Sequence, residues 1–265
     1  MTAPTHKNIL PWLRTRSFGR RMVYEKSLPS SNRSLLELAG IGEAEGLLLV
    51  AESQTAGRGR QQRNWFSPPD KNLYFSLLLR PTVPLRRLPE LALLLALGLR
   101  KGILALLPGL SIGLKWPNDL WIDGNKVSGI LCESEQHPEY GLQVVAGIGL
   151  NVNCTKDDFP PELQKSASSL QIIAGMPLDR AHLLAEILNS LEDYYQRWQQ
   201  EDNLSNFLAE WSQVDILQGK TISINQAAGS INGKVLGLAP DGRLRMQLED
   251  GKETLISCGD TRVMV

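Results

Sequence analysis

Gln54-Thr55-Ala56-Gly57-Arg58-Gly59-Arg60-Gln61-Gln62-Arg63-Asn64-Trp65 is the stretch on which the reading of the fold turns. It is polar, rich in glycine and arginine, and lies between two apolar runs of strand length, residues 47–51 and 73–79. Gly57 and Gly59 permit close approach of the backbone to a ligand. Arg58, Arg60 and Arg63 offer planar forks that match carboxylate or phosphate, and Trp65 offers a flat face for a base. The combination suits an acid joined to a nucleotide phosphate. A solvated basic loop accounts for the same composition, and a nucleic-acid contact loop is a third reading.

Outward from this loop the pattern is α+β. Pro29-Ser30-Ser31-Asn32 precedes Leu35, Leu36 and Leu38 and has the form of a helix N-cap. A helix is expected from residue 88. Strands at 111–115 and 120–122 flank Trp116-Pro117-Asn118-Asp119, Asp123-Gly124 signals a hairpin, and strands at 126–133 and 142–149 complete an antiparallel or mixed sheet. Residues 157–169 form an irregular loop. Leu184, Ile187, Leu188, Leu191, Tyr194 and Tyr195 line one side of a helix over 183–198, and a short helix follows over 204–211. Beyond residue 214 short alternating segments separated by Asp241-Gly242 and Asp250-Gly251 predict a small β-barrel. The expected divisions are an arm over 1–21 (flexible, or an extra edge element), a main domain over 22–214 and a second over 215–265.

Composition bounds the function. The 265 residues carry 28 Lys+Arg against 28 Asp+Glu, and this balance argues against bulk, sequence-independent nucleic-acid binding. The polar start carries no secretory signal. The most apolar segment, 88–107, is cut by Arg100 and Lys101 and is too short to span a bilayer. The expected setting is soluble, reducing and cytoplasmic. Cys132, Cys154 and Cys258 share no metal or redox spacing and read as buried or half-buried thiols. His6, His137 and His182 are scattered, so neither a zinc site nor a histidine base is expected. Gly57/Gly59 and Gly147/Gly149 lack the third glycine of a dinucleotide fingerprint, and Gly219-Lys220-Thr221 is no P-loop because position 214 is valine.

Two further clusters carry chemistry. Lys115-Trp116-Pro117-Asn118-Asp119, followed by Lys126, puts two lysines in one predicted hairpin, either of which can neutralise charge on a carboxylate or phosphate or serve only solubility. Asn118 and Asp119 also suit the capping of a turn. Gly147-Ile148-Gly149-Leu150-Asn151 places glycines inside an apolar strand, the mark of close backbone approach by a ligand or another chain, or of a bulge.

Taken together and in order, Ser30-Ser31-Asn32, Gln54 with Gly57-Arg58-Gly59-Arg60 and Trp65, Lys115-Trp116-Pro117-Asn118-Asp119 with Lys126, and Gly147-Ile148-Gly149-Leu150-Asn151 resemble the biotin protein ligases. The resemblance runs from about residue 24 to the C-terminus. It departs at Ser31, where the family usually has threonine, with the hydroxyl kept. The resemblance implies a mixed β-sheet backed by helices, related to class II aminoacyl-tRNA synthetases and lipoate ligases, and an SH3-like C-terminal β-barrel. It implies a monofunctional member without an N-terminal DNA-binding domain, acting with ATP and Mg2+ on biotin and on a biotin carboxyl carrier protein such as that of acetyl-CoA carboxylase. DNA and membrane partners are not expected, and monomer and homodimer both remain open.

By the same resemblance, Ser30, Ser31, Asn32 and Gln54 hold the biotin head group. Gly57, Arg58, Gly59 and Arg60 form a loop that closes over the carboxylate and α-phosphate. Arg63 contacts ATP phosphates, Trp65 stacks on adenine, and Lys126 binds the reacting carboxylate. Lys115, Asn118 and Asp119 organise phosphates and Mg2+, and Asn151 binds adenine. Lys126 and Arg58 are the expected catalytic groups, no resident metal site is expected, and no base is assigned for the transfer step. The alternatives are a lipoate or octanoate ligase of the same superfamily, a non-catalytic biotin sensor, and a carrier-binding module without chemistry.

Overall fold

The computed structural model describes residues 2–226 and 229–264. Residues 1, 227, 228 and 265 of the expected arm and second domain lie outside the described residues. In chain order the elements are α1 (His6–Ile9), β1 (Met22–Glu25), α2 (Ser31–Ala39), β2 (Leu48–Ala51), β3 (Leu73–Leu79), α3 (Glu90–Leu106), β4 (Gly113–Lys115), β5 (Asp119–Ile122), β6 (Asn125–His137), β7 (Gly141–Leu150), α4 (Leu170–Ala174), α5 (Arg180–Gln200), α6 (Ser205–Ser212), β8 (Thr221–Gln226), β9 (Gly229–Leu238), β10 (Leu244–Gln247), β11 (Glu253–Ile256) and β12 (Asp260–Val263).

The first seven strands form one sheet in the order β1-β2-β3-β7-β6-β5-β4. Only β1 and β2 pair in parallel, so the sheet is mixed, as expected. The period of two along each strand sorts its side chains. Leu48, Val50, Phe75, Leu77, Ala146 and Ile148 join a cluster with α3 and α5 on one face. Leu49, Tyr74, Leu78 and Val145 pack with Leu35 and Ala39 of α2 on the other. Ser76 shares the α2 face by the same alternation and is fully buried.

The last five strands make an antiparallel sheet, β11-β10-β9-β8-β12. No ladder joins β11 to β12 among the described residues, so this is an open sheet where a closed barrel was expected. Ile222, Ile224, Val235 and Met246 belong to the same apolar cluster as α3 and α5. The Trp116 indole N–H donates to Gly242 O at 3.1 Å and ties the two sheets together.

The arm is packed against α5 and, among the described residues, adds no strand to either sheet. Ile9 and Phe18 are buried, Arg14 makes a two-bonded ion pair with Glu186, and the backbone N–H groups of Arg16, Ser17 and Phe18 donate to Glu192. It is a segment docked on α5, with acceptors about 175 residues away in sequence that local patterning does not register. Cys258 is exposed, against the expectation of burial, whereas Cys154 is buried and Cys132 half-buried. No helix among the described residues is long and apolar enough to cross a membrane.

Candidate functional site

The register of the large sheet assembles the site. One row of partners runs Tyr74, Gly149, Gly129, Asp119, Lys115, and the next runs Ser76, Gly147, Leu131. Side chains in a row share a face, here the face carrying α2. Lys126 reaches it through a bulge. Trp121 pairs with Lys126 while Leu120 pairs with Ser128, which leaves Val127 as the extra residue. In a regular strand Lys126, two residues before Ser128, would share the face of Ser128 and Ile130; the bulge takes up Val127 and turns Lys126 to the other side.

Glycines in these rows let other elements lie on the sheet. A Cβ at Gly147 would overlap the Asn32 amide, and one at Gly149 would overlap the Trp65 indole. The close approach expected there is made by the chain's own side chains. Ser30 is the N-cap residue of α2, but its side chain makes no cap bond. Ser31 N and Oγ both donate to Gln54 Oε1, at 2.8 and 3.2 Å, and Gln54 Nε2 donates to Ser67 Oγ at 3.1 Å. This set joins the start of α2 to the arginine loop.

The loop is a small hairpin. Trp65 N donates to Gly57 O at 2.8 Å and Gly59 N to Arg63 O at 2.7 Å, with Gln61 and Gln62 at positive φ at its tip. Arg58 pairs with Glu133 at 2.7 Å and Arg60 donates to Asn118 Oδ1 at 3.3 Å. Arg63 pairs with Asp260 of β12, so the loop bridges the two sheets.

The walls enclose a cavity of about 400 Å3, within the range of small-molecule sites. Every residue given a site role by the resemblance lines it except Gly57, which packs against Trp65 O and Ser67 Oγ instead of facing a ligand. Six cationic side chains (Arg58, Arg60, Arg63, Lys115, Lys126, Arg262) line it, against two carboxylates, Asp119 and Asp260. Lys126 Nζ lies 2.7 Å from Asp119 and 5.4 Å from the centre of the Trp65 ring. Burial pushes the Lys115 ammonium below its ordinary pKa; the Asp119 carboxylate opposes this and Lys126 adds to it. Lys115 also sits 4.7 Å over the Trp121 ring.

Two of the expected amides are already anchored to the backbone. Asn118 Nδ2 donates to Ile130 O at 2.6 Å, and Asn151 Nδ2 donates to Ser168 O at 3.0 Å. Each bond uses one of the two N–H donors of its amide, so a base edge at Asn151 can still meet the second N–H and the amide oxygen. Sequence reasoning missed Ser76, Glu133, Asp260 and Arg262. A lone serine in the apolar run 73–79 is a signal for the first. Nothing local points to the last two, which arrive from the second sheet.

The model of the Biotin/lipoate A/B protein ligase family matches residues 25–151, the stretch that carries β2 to β7, α2 and the arginine loop. The bifunctional ligase/repressor BirA of Bacillus spizizenii is 35% identical over 92% of this chain and 75% of its own length. The biotin–[acetyl-CoA-carboxylase] ligase of Mycobacterium tuberculosis is 31% identical, covering 87% of this chain and 84% of that one. Biotin protein ligase from Aquifex aeolicus, solved with biotin and ATP, superposes with a TM-score of 0.80 at 28% identity, over 92% of this chain and 99% of its own. The chain belongs to this family and, within it, to the biotin protein ligases.

Proposed function

We propose that this protein activates biotin with ATP, giving biotinyl-5′-AMP and pyrophosphate, and then transfers biotin to a lysine of a biotin carboxyl carrier protein. The observation that carries this reading is the charge of the cavity, six cations against two carboxylates. A carboxylate and a triphosphate repel each other, and a site that holds both must supply positive charge before chemistry begins.

The carboxylate attacks the α-phosphorus and pyrophosphate leaves. Lys126, on its bulge, and Arg58 and Arg60, on the loop, neutralise the charge that accumulates between the two anions. Ser30, Ser31, Asn32 and Gln54, at the α2 end, hold the uncharged head group. Trp65, Lys115, Arg63 and Asn151 take the nucleotide. Closure of the arginine loop shields the mixed anhydride from water. The carrier amine then attacks the acyl carbon and AMP leaves.

A Mg2+ ion accompanying the nucleotide would be held by one or two carboxylates plus phosphate oxygens and would supply further positive charge to the phosphates. Asp119 and Asp260 are the carboxylates at hand. No group of three or more acidic, histidine or cysteine side chains among the described residues forms a cage for it.

Exchange of labelled pyrophosphate into ATP tests the reading. Exchange is expected with biotin and not with lipoate or octanoate. Exchange with lipoate instead would move the chain to the sister activity, and biotin binding with no exchange would make it a sensor.

A further inference from the structure

We infer that Glu133 is a positioning residue that couples the head-group end of the cavity to the arginine loop and fixes which polarity of ligand that end accepts. The inference rests on the ligase reading and deepens it. One carboxylate oxygen, Glu133 Oε2, accepts from Asn32 Nδ2 at 2.8 Å and from Arg58 Nη2 at 2.7 Å. Asn32 belongs to the first turn of α2 and Arg58 to the loop, so this single atom joins two elements that approach the cavity from different sides.

The consequence for Asn32 is strict. Its Nδ2 has two hydrogens, and both are used, one to Glu133 and one to Leu131 O at 3.0 Å. Its Oδ1 is held by the Ser76 hydroxyl at 2.7 Å and keeps one further lone pair. The amide cannot flip without setting its oxygen against two acceptors, Leu131 O and the Glu133 carboxylate. A ligand at this end therefore meets an acceptor and must bring a donor. The N–H of a cyclic urea satisfies it; a dithiolane or an alkyl chain offers none and leaves a buried oxygen underused, which costs affinity.

The consequence for the loop follows from linkage. A ligand that occupies Asn32 Oδ1 holds the amide, the amide holds the Glu133 carboxylate, and the carboxylate stands where Arg58 meets it. Among the described residues the other side-chain contact of Arg58 is Ser30 Oγ at 3.5 Å, too long to fix Arg58 by itself. Head-group occupancy then favours the closed loop before nucleotide arrives, and loop closure favours head-group binding by the same factor.

Glu133→Gln and Glu133→Ala separate the two bonds in the full-length protein. Glutamine keeps an acceptor for Asn32 and loses the charge for Arg58; alanine loses both. Biotin affinity is measured by calorimetry without nucleotide, and loop closure by the rate of tryptic cutting at Arg58, Arg60 and Arg63 with and without biotin. In the unsubstituted protein biotin alone slows the cutting. In E133Q the slowing is lost and biotin affinity falls by no more than the factor of that slowing, whereas E133A binds biotin about tenfold more weakly still and shows no slowing either. Biotin-induced protection retained in E133Q, or unchanged biotin affinity in a folded E133A, overturns the coupling while the ligase reading stands. Absence of biotin binding by the unsubstituted protein sinks both, and is read before any variant is made. E133Q is nearly isosteric, so it keeps the test valid where E133A fails to fold.

Discussion

Lys126 shows how one residue's place decides its chemistry. Its backbone is tied to the loop that follows β7, through Lys126 N to Ser166 O at 2.9 Å and Ser168 N to Lys126 O at 3.0 Å. The ammonium is thus carried on a strand fixed from both sides, and its carboxylate partner Asp119 aims it. Such fixed charge is effective because it needs no rearrangement as the reaction proceeds. Lys126→Ala is expected to lower biotin-dependent pyrophosphate exchange by at least about 100-fold. The melting temperature should stay near that of the unsubstituted protein, because the side chain is a wall of the cavity and not part of the core. A variant that keeps its exchange rate would remove Lys126 from the reacting centre. The residue itself was legible in the sequence beside the Lys-Trp-Pro-Asn-Asp turn. Its direction was not, because the bulge at Val127 is a property of the pairing between β5 and β6.

At the scale of elements, the glycine rows of β7 carry two separate contacts. Gly147 receives Asn32 from α2, and Gly149 receives Trp65 from the loop. Added methyl groups in a packed setting cost about 1–3 kcal/mol, and here each falls on a different subsite. Gly147→Ala is expected to weaken biotin binding with little change in the KM for ATP. Gly149→Ala is expected to raise the KM for ATP and spare biotin affinity. Equal effects of the two on both ligands would show that the rows do not divide the site. Gly109→Ala, where nothing lies within 4 Å of the added carbon, is the control. β2 to β7, α3, α5 and the hairpin at Asp123-Gly124 were readable because period-two and helical patterns are local, whereas β1 was not singled out. What fills the glycine gaps was not: the notch is in β7, while Asn32 and Trp65 lie about 115 and 84 residues earlier. Ser76 and Glu133 escaped for the same reason, since each acts on α2 across the sheet.

The whole molecule is held by contacts that no single segment announces. The docked arm, the Arg63–Asp260 bridge and the open second sheet all join residues far apart in sequence. The joint itself lies at residues 214–216, where Leu114 N donates to Val214 O at 2.8 Å and Ile216 N to Leu114 O at 3.0 Å, extending the large sheet past β4. Asp215, between those bonds, accepts from Leu217 N at 2.9 Å, yet burial raises its pKa above the ordinary 3.8. Between 3.8 and the raised value the folded chain binds more protons than the unfolded one, so this group's contribution to stability falls as pH rises through that window. At neutral pH its full cost stands, and below 3.8 it vanishes. Other carboxylates act in the opposite sense: Arg14 holds Glu186 down, Lys71 holds Asp158 down, and backbone N–H groups hold Glu192 down against its burial. Their stabilisation is present at neutral pH and is lost on acidification, so the Asp215 effect shows only in a difference between variant and parent at the same pH. Asp215→Asn keeps an oxygen for Leu217 N and removes the charge. It is expected to melt above the parent at pH 7, with the gap closing as pH falls toward 3.8. A gap that is constant with pH, or one that widens on acidification, would mean that the joint is not held against the cost of a buried charge.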